Sequence, residues 1–265
     1  MTWVIGASTM FGYGIVLSDI CVTYGPPNNR KTANVLQKAY LLAPDIVGGF
    51  SGSVYIGFQM LYYLQKFLKL PEGHQDSHAW KPDWVAEQFS PIAKEIFEKC
   101  PKNEQKLGSE IIIVGAHPTE DVGIKGWARI YISVLKWPNF IPEVDKGGVI
   151  SKSIGSGAKA YKDKITEVLK DPFPILQGEV SHPGGAGNFF KITISNELKK
   201  NPKIGISEHL HAFLIRRGGL LTGTNNCTTF QNGIETEFKM PDVARNYEKL
   251  LKKLNLASKP QGIIA

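Results

Sequence analysis

The sequence predicts an α+β fold in which antiparallel sheets are packed between helices. Hairpin signals come first along the chain, two long segments with helical periodicity follow, and further strand segments then alternate with helices. Strands joined by short turns pair antiparallel, and helices grouped between them cover the outer faces of the sheets. Two packed sheets between helix layers would explain this order.

The first four strands are predicted as two hairpins. Residues 2–8 and 13–19 are rich in β-forming residues and flank a turn that contains glycine. Residues 38–42 and 46–50 flank Ala43-Pro44-Asp45, which is a turn signal. The first hairpin would bring Thr2 and Asp19 to the same end.

Two helices are predicted next, over residues 54–70 and 82–98, because apolar residues recur there at helical spacing. Ser51-Gly52-Ser53 leads into the first helix, and residues 73–79 form the loop between the two. The later segments are predicted as strands at 110–116, 127–133, 147–154, 188–195, 208–216 and 220–224, helices ending near 170 and spanning 241–254, and an irregular stretch at 171–188.

The composition supports one domain over residues 1–265, with an extension from about residue 205. The chain has 265 residues and is 42% hydrophobic, which is enough to bury a sizeable core. Its net charge is +7, but the densest basic stretch, 249–253, lies in a helical pattern, so no nucleic-acid partner is expected. Three cysteines without a CxxC pair predict neither a metal site nor disulfides and fit a cytoplasmic protein. We expect no cofactor, and the lack of a run of 18 apolar residues predicts no membrane span.

A threonine at the start of a mature chain carries its own base. Aminopeptidases remove Met1 when the next residue is small, as Thr2 is. One residue then supplies a hydroxyl nucleophile and an amine whose reference pKa is about 7.7–8.0. Lys38 is the candidate cation that would favour the neutral amine, Asp19 could hold Lys38 in place, and the N–H of Gly52 could stabilise an oxyanion. Each signal alone is also typical of an ordinary strand end, so the prediction of a catalytic site depends on their order and spacing.

That order resembles the successive motifs of proteasome β subunits and their bacterial relatives. The matching positions are Thr2, residues 14–19, Thr23, Gly25, Lys38, residues 48–52 and Gly155-Ser156-Gly157. The resemblance is good over residues 2–70 and loose over 110–195. It implies the four-layer αββα sandwich of N-terminal-nucleophile (Ntn) hydrolases, with two antiparallel sheets between helix layers.

The resemblance also implies catalytic roles. Thr2 would be the nucleophile, and Asp19 and Lys38 its partners. Gly52 would be the oxyanion glycine, and Ser156 the serine that hydrogen-bonds the terminal amine. After Ser156 the family's usual aspartate and serine have no clear counterpart. His182 lies near the place of that aspartate, and the simpler interpretation of this residue is a loop histidine without a catalytic role.

Thr23 would pair with the substrate backbone, so that a peptide adds as a strand between two edges. The side chains expected in the primary pocket are all apolar or aromatic, namely Val22, Leu36, Tyr40, Phe50 and Val54. They predict a small or medium apolar residue ahead of the scissile bond. The same residues could also simply belong to the core.

The resulting hypothesis is a threonine endopeptidase subunit of a self-compartmentalising homo-oligomeric ring. It would cleave peptides or unfolded proteins, and the resemblance implies a possible ATPase unfoldase as a partner. Two alternatives stay open at this point. One is an Ntn amidase that acts on a small molecule, and the other is a non-catalytic structural subunit that retains Met1.

Overall fold

The chain folds into antiparallel sheets and helices. The computed structural model describes residues 3–9, 12–69, 80–159, 161–170, 185–222, 226–231, 234–256 and 262–265. Sheet I contains, in spatial order, β10 (Ile150–Ile154), β1 (Val4–Ser8), β2 (Gly14–Asp19), β11 (Leu210–Arg216) and β12 (Gly219–Thr222). Sheet II contains β5 (Ala39–Ala43), β6 (Ile46–Gly52), β7 (Ser109–Val122), β8 (Ile124–Lys136) and β9 (Glu143–Gly147).

Two separate hairpins and six helices complete the described elements. The hairpins pair β3 (Cys21–Tyr24) with β4 (Lys31–Asn34) and β13 (Asn226–Gln231) with β14 (Ile234–Lys239). The helices are α1 (Val54–Phe67), α2 (Pro82–Lys99), α3 (Lys102–Gln105), α4 (Lys162–Lys170), α5 (Gly185–Lys200) and α6 (Tyr247–Leu254), with a 3-10 turn at Pro27–Asn29. Among the helices of the described residues, none combines the length and apolar character that a membrane span requires.

Three apolar clusters connect these elements. The two sheets face each other across the first, which contains Val4, Val16, Val47, Ile112, Val114 and Ile132. The second joins the other face of sheet I to α4 and α5 through Ile5, Ile15, Leu17, Ile165, Phe190 and Ile194. The third joins the other face of sheet II to α1 and α2 through Phe50, Ile111, Ile113, Ile56, Met60 and Phe89. Neighbouring residues on a strand enter different clusters because successive side chains point to opposite faces of a sheet.

The two sheets approach each other closely near Gly6. A Cβ atom at this position would lie 2.5 Å from Cγ2 of Val114, a distance that real Cβ atoms essentially never show. A glycine in the middle of β1 therefore permits the contact between the sheets.

Both predicted N-terminal hairpins are confirmed. In the first, Ser8 pairs with Gly14 and Val4 with Ser18, and in the second Ala43 pairs with Ile46. The predicted helices after the second hairpin are also confirmed, as α1 and α2. The predicted loop at 73–79 and residues 171–184 of the predicted irregular stretch lie outside the described residues. Residues 185–188 of that stretch were predicted wrongly, because they belong to α5.

The strand predicted at 188–195 is wrong, because these residues lie in α5. Apolar residues at 190, 192 and 194 alternate as in a strand. However, Phe190, Ile194 and Leu198 are spaced by four residues, and all three are buried in the cluster that covers sheet I. The helical spacing prevails because it supplies one apolar face to that sheet.

Two other boundaries differ from the predictions. Residues 147–154 do not form one strand, because β9 ends in sheet II at Gly147 and β10 begins in sheet I at Ile150. The helix predicted from residue 241 begins at Tyr247, after Asn246, whose side chain accepts a hydrogen bond from the N–H of Lys249 at 2.9 Å. The hairpins of β3 with β4 and of β13 with β14 were not predicted.

Candidate active site

A buried ion pair lies at the end of the first hairpin. Asp19 is the last residue of β2, and Lys38 directly precedes β5. Nζ of Lys38 donates to Oδ1 of Asp19 at 2.7 Å, and both side chains are fully buried. Oδ1 also accepts from the N–H of Trp3 at 2.9 Å, and Oδ2 accepts from the N–H of Cys21 at 3.0 Å. The structure thus brings Asp19 and Lys38 together, next to the first described residue of the chain.

Trp3 connects this ion pair to the loop that contains Ser156. Its carbonyl accepts from the N–H of Asp19 at 3.1 Å, and its ring centroid lies 5.5 Å from that of Tyr161. A Cβ atom on Gly157 would lie only 3.1 Å from Cβ of Trp3. The glycine after Ser156 therefore lets the loop lie against β1.

Gly52 and Ser156 line one open cavity of about 540 Å³, together with Glu110 and Gly155. Oε2 of Glu110 accepts from the hydroxyl of Ser51 at 2.7 Å and from the N–H of Gly155 at 2.6 Å. One carboxylate oxygen therefore ties the end of β6 to the loop of Ser156. Since this oxygen accepts two short hydrogen bonds, it holds the two sides of the cavity at a fixed separation.

The backbone at Gly52 requires glycine. Its φ is +88°, and a Cβ atom there would lie 2.5 Å from the carbonyl oxygen of Gly108. The next residue, Ser53, caps α1 by accepting from the N–H of Ile56 at 3.2 Å. The N–H of Gly52 is consequently presented at the start of a helix, where backbone donors favour negative charge.

Residues 262–265, which we call the docked segment, lie in a groove between β3 and the junction of β6 with α1. Ile264 forms antiparallel bridges with Thr23 on one side and with Ser53 on the other. The N–H and carbonyl of Thr23 bond the carbonyl and N–H of Ile264, each at 2.9 Å. The N–H of Ala265 donates to the carbonyl of Gly52 at 2.8 Å. The groove thus has two backbone edges that bind an extended chain.

The residues predicted for the primary pocket adjoin the docked segment. Four of them are fully buried in the apolar cluster that also contains Ile263 and Ala265, namely Val22, Leu36, Phe50 and Val54. Tyr40 is half-buried at the edge of this cluster, and its hydroxyl donates to the carbonyl of Gln37 at 2.6 Å. Burial raises the pKa of Tyr40. Tyr40 also lines a second cavity of about 580 Å³ with Phe58 and Tyr62.

Glu104 is a site residue that the sequence interpretation missed. Its side chain is fully buried in α3, where Oε2 accepts from the hydroxyl of Ser53 at 2.6 Å and Oε1 accepts from the N–H of Gly262 at 2.7 Å. In the sequence it lies in a polar run at 102–106 that reads as a solvated surface. Glu110, in a predicted strand, carried no local signal either.

Two predicted residues, Thr2 and His182, lie outside the described residues. Within the part of the chain that is described, no group of three or more His, Cys, Asp or Glu side chains is arranged to hold a metal ion.

No model of a known protein family matches the chain, and comparison with curated proteins finds no match either. A functional assignment therefore rests on the residues and their geometry.

Proposed function

We propose that the chain is a threonine endopeptidase of the Ntn-hydrolase type, with Thr2 as its nucleophile after removal of Met1. The observation that carries this proposal is the buried pair of Asp19 and Lys38, bonded to the N–H of Trp3. A buried ion pair often contributes little net stability because both charges lose their hydration. A role in lowering the proton affinity of a neighbouring group would explain why such a pair lies here.

The neighbouring group would be the amine of Thr2, which is covalently linked to Trp3. Consecutive Cα atoms are about 3.8 Å apart across a trans peptide. Covalent geometry therefore keeps Thr2 close to the N–H of Trp3, which donates to Asp19. The positive charge of Lys38 disfavours protonation of a nearby amine, which leaves the amine available as a base.

The proposed reaction uses groups on both sides of the cavity. The hydroxyl of Thr2 attacks the peptide carbonyl and passes its proton to the Thr2 amine, while the N–H of Gly52 stabilises the negative oxygen. The ammonium then protonates the leaving amine, and water hydrolyses the ester bond to release Thr2. Ser156, in the loop tied down by Glu110, would orient the amine.

The groove supports a peptide substrate over a small-molecule amide. It presents hydrogen-bonding edges at Thr23 and Gly52, and an extended chain segment satisfies both. A compact small molecule would leave most of these backbone groups unpaired.

The packing supports the finer fold assignment. Since one apolar cluster lies between the sheets and the other two lie under helices, we propose the four-layer αββα sandwich. We also propose a homo-oligomeric ring, because Tyr62, Tyr63 and Trp84 on α1 and α2 expose 51%, 46% and 42% of their surface. An ATPase unfoldase partner and a cytoplasmic location belong to the same proposal through the family resemblance.

The test is the intact mass of the protein before and after incubation with a peptide epoxyketone directed at N-terminal threonine. It is carried out on the full chain and on a variant lacking residues 262–265, in which the groove is open. We expect loss of Met1 and a single adduct on Thr2 in the open variant. Thr2→Ala should give no adduct, whereas Thr2→Ser, which keeps a hydroxyl, should still react. Retained Met1 and no adduct on either protein would refute the proposal and favour a non-catalytic structural subunit.

A further inference from the structure

The docked segment satisfies the backbone groups that line the groove. On the β3 side, both backbone groups of Thr23 bond Ile264. On the other side, the N–H of Val54 donates to the carbonyl of Ile263 at 2.9 Å, and the N–H of Gly52 donates to the carbonyl oxygen of Ala265 at 3.4 Å. Val54 is the first residue of α1, so its N–H has no partner within the helix. The segment thus supplies what a bound peptide strand would supply.

The side chains of the docked segment alternate as those of a bound strand do. Ile263 and Ala265 are each 1% exposed and face the apolar cluster, while Ile264 between them is half-buried. This alternation follows from the pleat of an extended chain. The groove therefore offers one site for a small side chain beside Gly52 and one for an aliphatic side chain two residues earlier.

Glu104 anchors the segment at its other end. Its two carboxylate oxygens accept from the N–H of Gly262 and from the hydroxyl of Ser53, at 2.7 and 2.6 Å. One buried side chain therefore binds both the segment and the wall of the groove. This arrangement favours a defined position of the segment over loose contact.

We propose that residues 262–265 are an intramolecular ligand of the peptide groove, which hold it closed and compete with substrate. The groove accordingly selects extended peptides with a small residue at the place of Ala265 and an aliphatic residue at the place of Ile263. The inference rests on the proposed function only in taking this groove as the one that binds substrate.

Competition by the segment is strong because it is tethered. Five residues separate it from Leu256, which lies just after α6. A short tether gives an effective concentration of the order of millimolar, so a free peptide at micromolar concentration cannot displace the segment readily.

The test is binding of a fluorescent peptide with the sequence of residues 261–265, followed by anisotropy in the Thr2→Ala background, where cleavage cannot interfere. The open variant lacking residues 262–265 should bind it, and the full chain should bind at least about tenfold more weakly. Equal binding by the two proteins would overturn the inference, as would no binding by a folded open variant.

A milder pair of substitutions keeps the test valid if the shortened chain does not fold. Ile264→Pro removes the N–H that donates to Thr23, whereas Ile264→Val keeps it. The proline variant should bind the peptide with the affinity of the open variant, and the valine variant with the affinity of the full chain. If both bind alike, the segment does not control access.

A labelled peptide that ends in tryptophan tests the selectivity of the groove. It should bind the open variant at least about tenfold more weakly than the peptide that ends in alanine, since Ala265 is enclosed.

The two proposals fail in different ways. Peptide binding by the open variant without an epoxyketone adduct refutes the peptidase and leaves the intramolecular ligand standing. Adducts that form at equal rates with and without residues 262–265 refute the intramolecular ligand and leave the peptidase standing.

Discussion

The ammonium of Lys38 lies 2.7 Å from the carboxylate of Asp19, and neither side chain is exposed to solvent. The carboxylate is shared, because it also accepts backbone N–H groups of Trp3 and Cys21. Asp19 therefore positions the start of β1, the start of β3 and the lysine at once. A change at either charged residue should affect both folding and the candidate site.

Removing only one charge of this pair should be costly. Lys38→Met leaves a buried carboxylate without its cation, which typically costs about 3–5 kcal/mol of unfolding free energy. The double variant Asp19→Asn, Lys38→Met should recover part of that loss, and both variants should lack peptidase activity. Urea unfolding measures the first effect, and peptide hydrolysis measures the second. A Lys38→Met protein with unchanged stability and activity would contradict the assigned role.

Gly52→Ala should destabilise the protein more than a glycine substitution elsewhere at a similar φ. The new Cβ would meet the carbonyl oxygen of Gly108, in addition to the strain of a positive φ. Gly123→Ala is the matched control, because its φ is +67° and a Cβ there has no neighbour within 4 Å. We expect a loss of about 1 kcal/mol for Gly123→Ala and at least about 2 kcal/mol for Gly52→Ala in urea unfolding. Equal losses would show that the contact with Gly108 is unimportant.

Glu110 should act as a positioning residue for the loop of Ser156. Glu110→Ala removes the acceptor shared by Ser51 and Gly155, and hydrogen bonds to charged groups are worth about 1.5–3 kcal/mol. We expect kcat for peptide hydrolysis to fall at least about tenfold while KM changes little, with partial rescue in Glu110→Gln. Glu143→Ala is the control, since this exposed residue contacts Lys152 at 3.5 Å and should leave kcat unchanged. A parallel rise in KM would instead indicate a role in binding substrate.

His211 should make the protein less stable at acidic pH. Burial, assisted by the positive charges of Lys191 and Arg245, lowers the pKa of His211 to about 4. An unfolded imidazole titrates near pH 6.5, so the unfolded state binds more protons between these two pH values. The free energy of unfolding should therefore fall as the pH drops from about 6.5 to 4, by up to about 3 kcal/mol. Urea unfolding across this range should show a shallower slope for His211→Gln, and an unchanged slope would exclude His211 as the cause.

Local sequence patterns were sufficient for much of the first 70 residues. The turn residues between strands predicted both hairpins, and helical spacing predicted α1. These features depend on residues close together in the chain, where backbone preferences and periodicity act directly.

Tertiary contacts decided α5 and the groove. Phe190, Ile194 and Leu198 form the apolar face of a helix because this face buries their side chains against sheet I. The same stretch also alternates like a strand. Neither Glu104 nor the docked segment has a local pattern, since each acquires its role from partners far away in the chain. The sequence by itself determined the turns, the early strands and α1, because these follow from short-range propensity. The pairing of Asp19 with Lys38 depended on the packed chain, because β2 lies in sheet I and β5, which follows Lys38, lies in sheet II. Only the folded chain decided what fills the groove, because that depends on which distant backbone edges remain unpaired after the sheets and helices have packed.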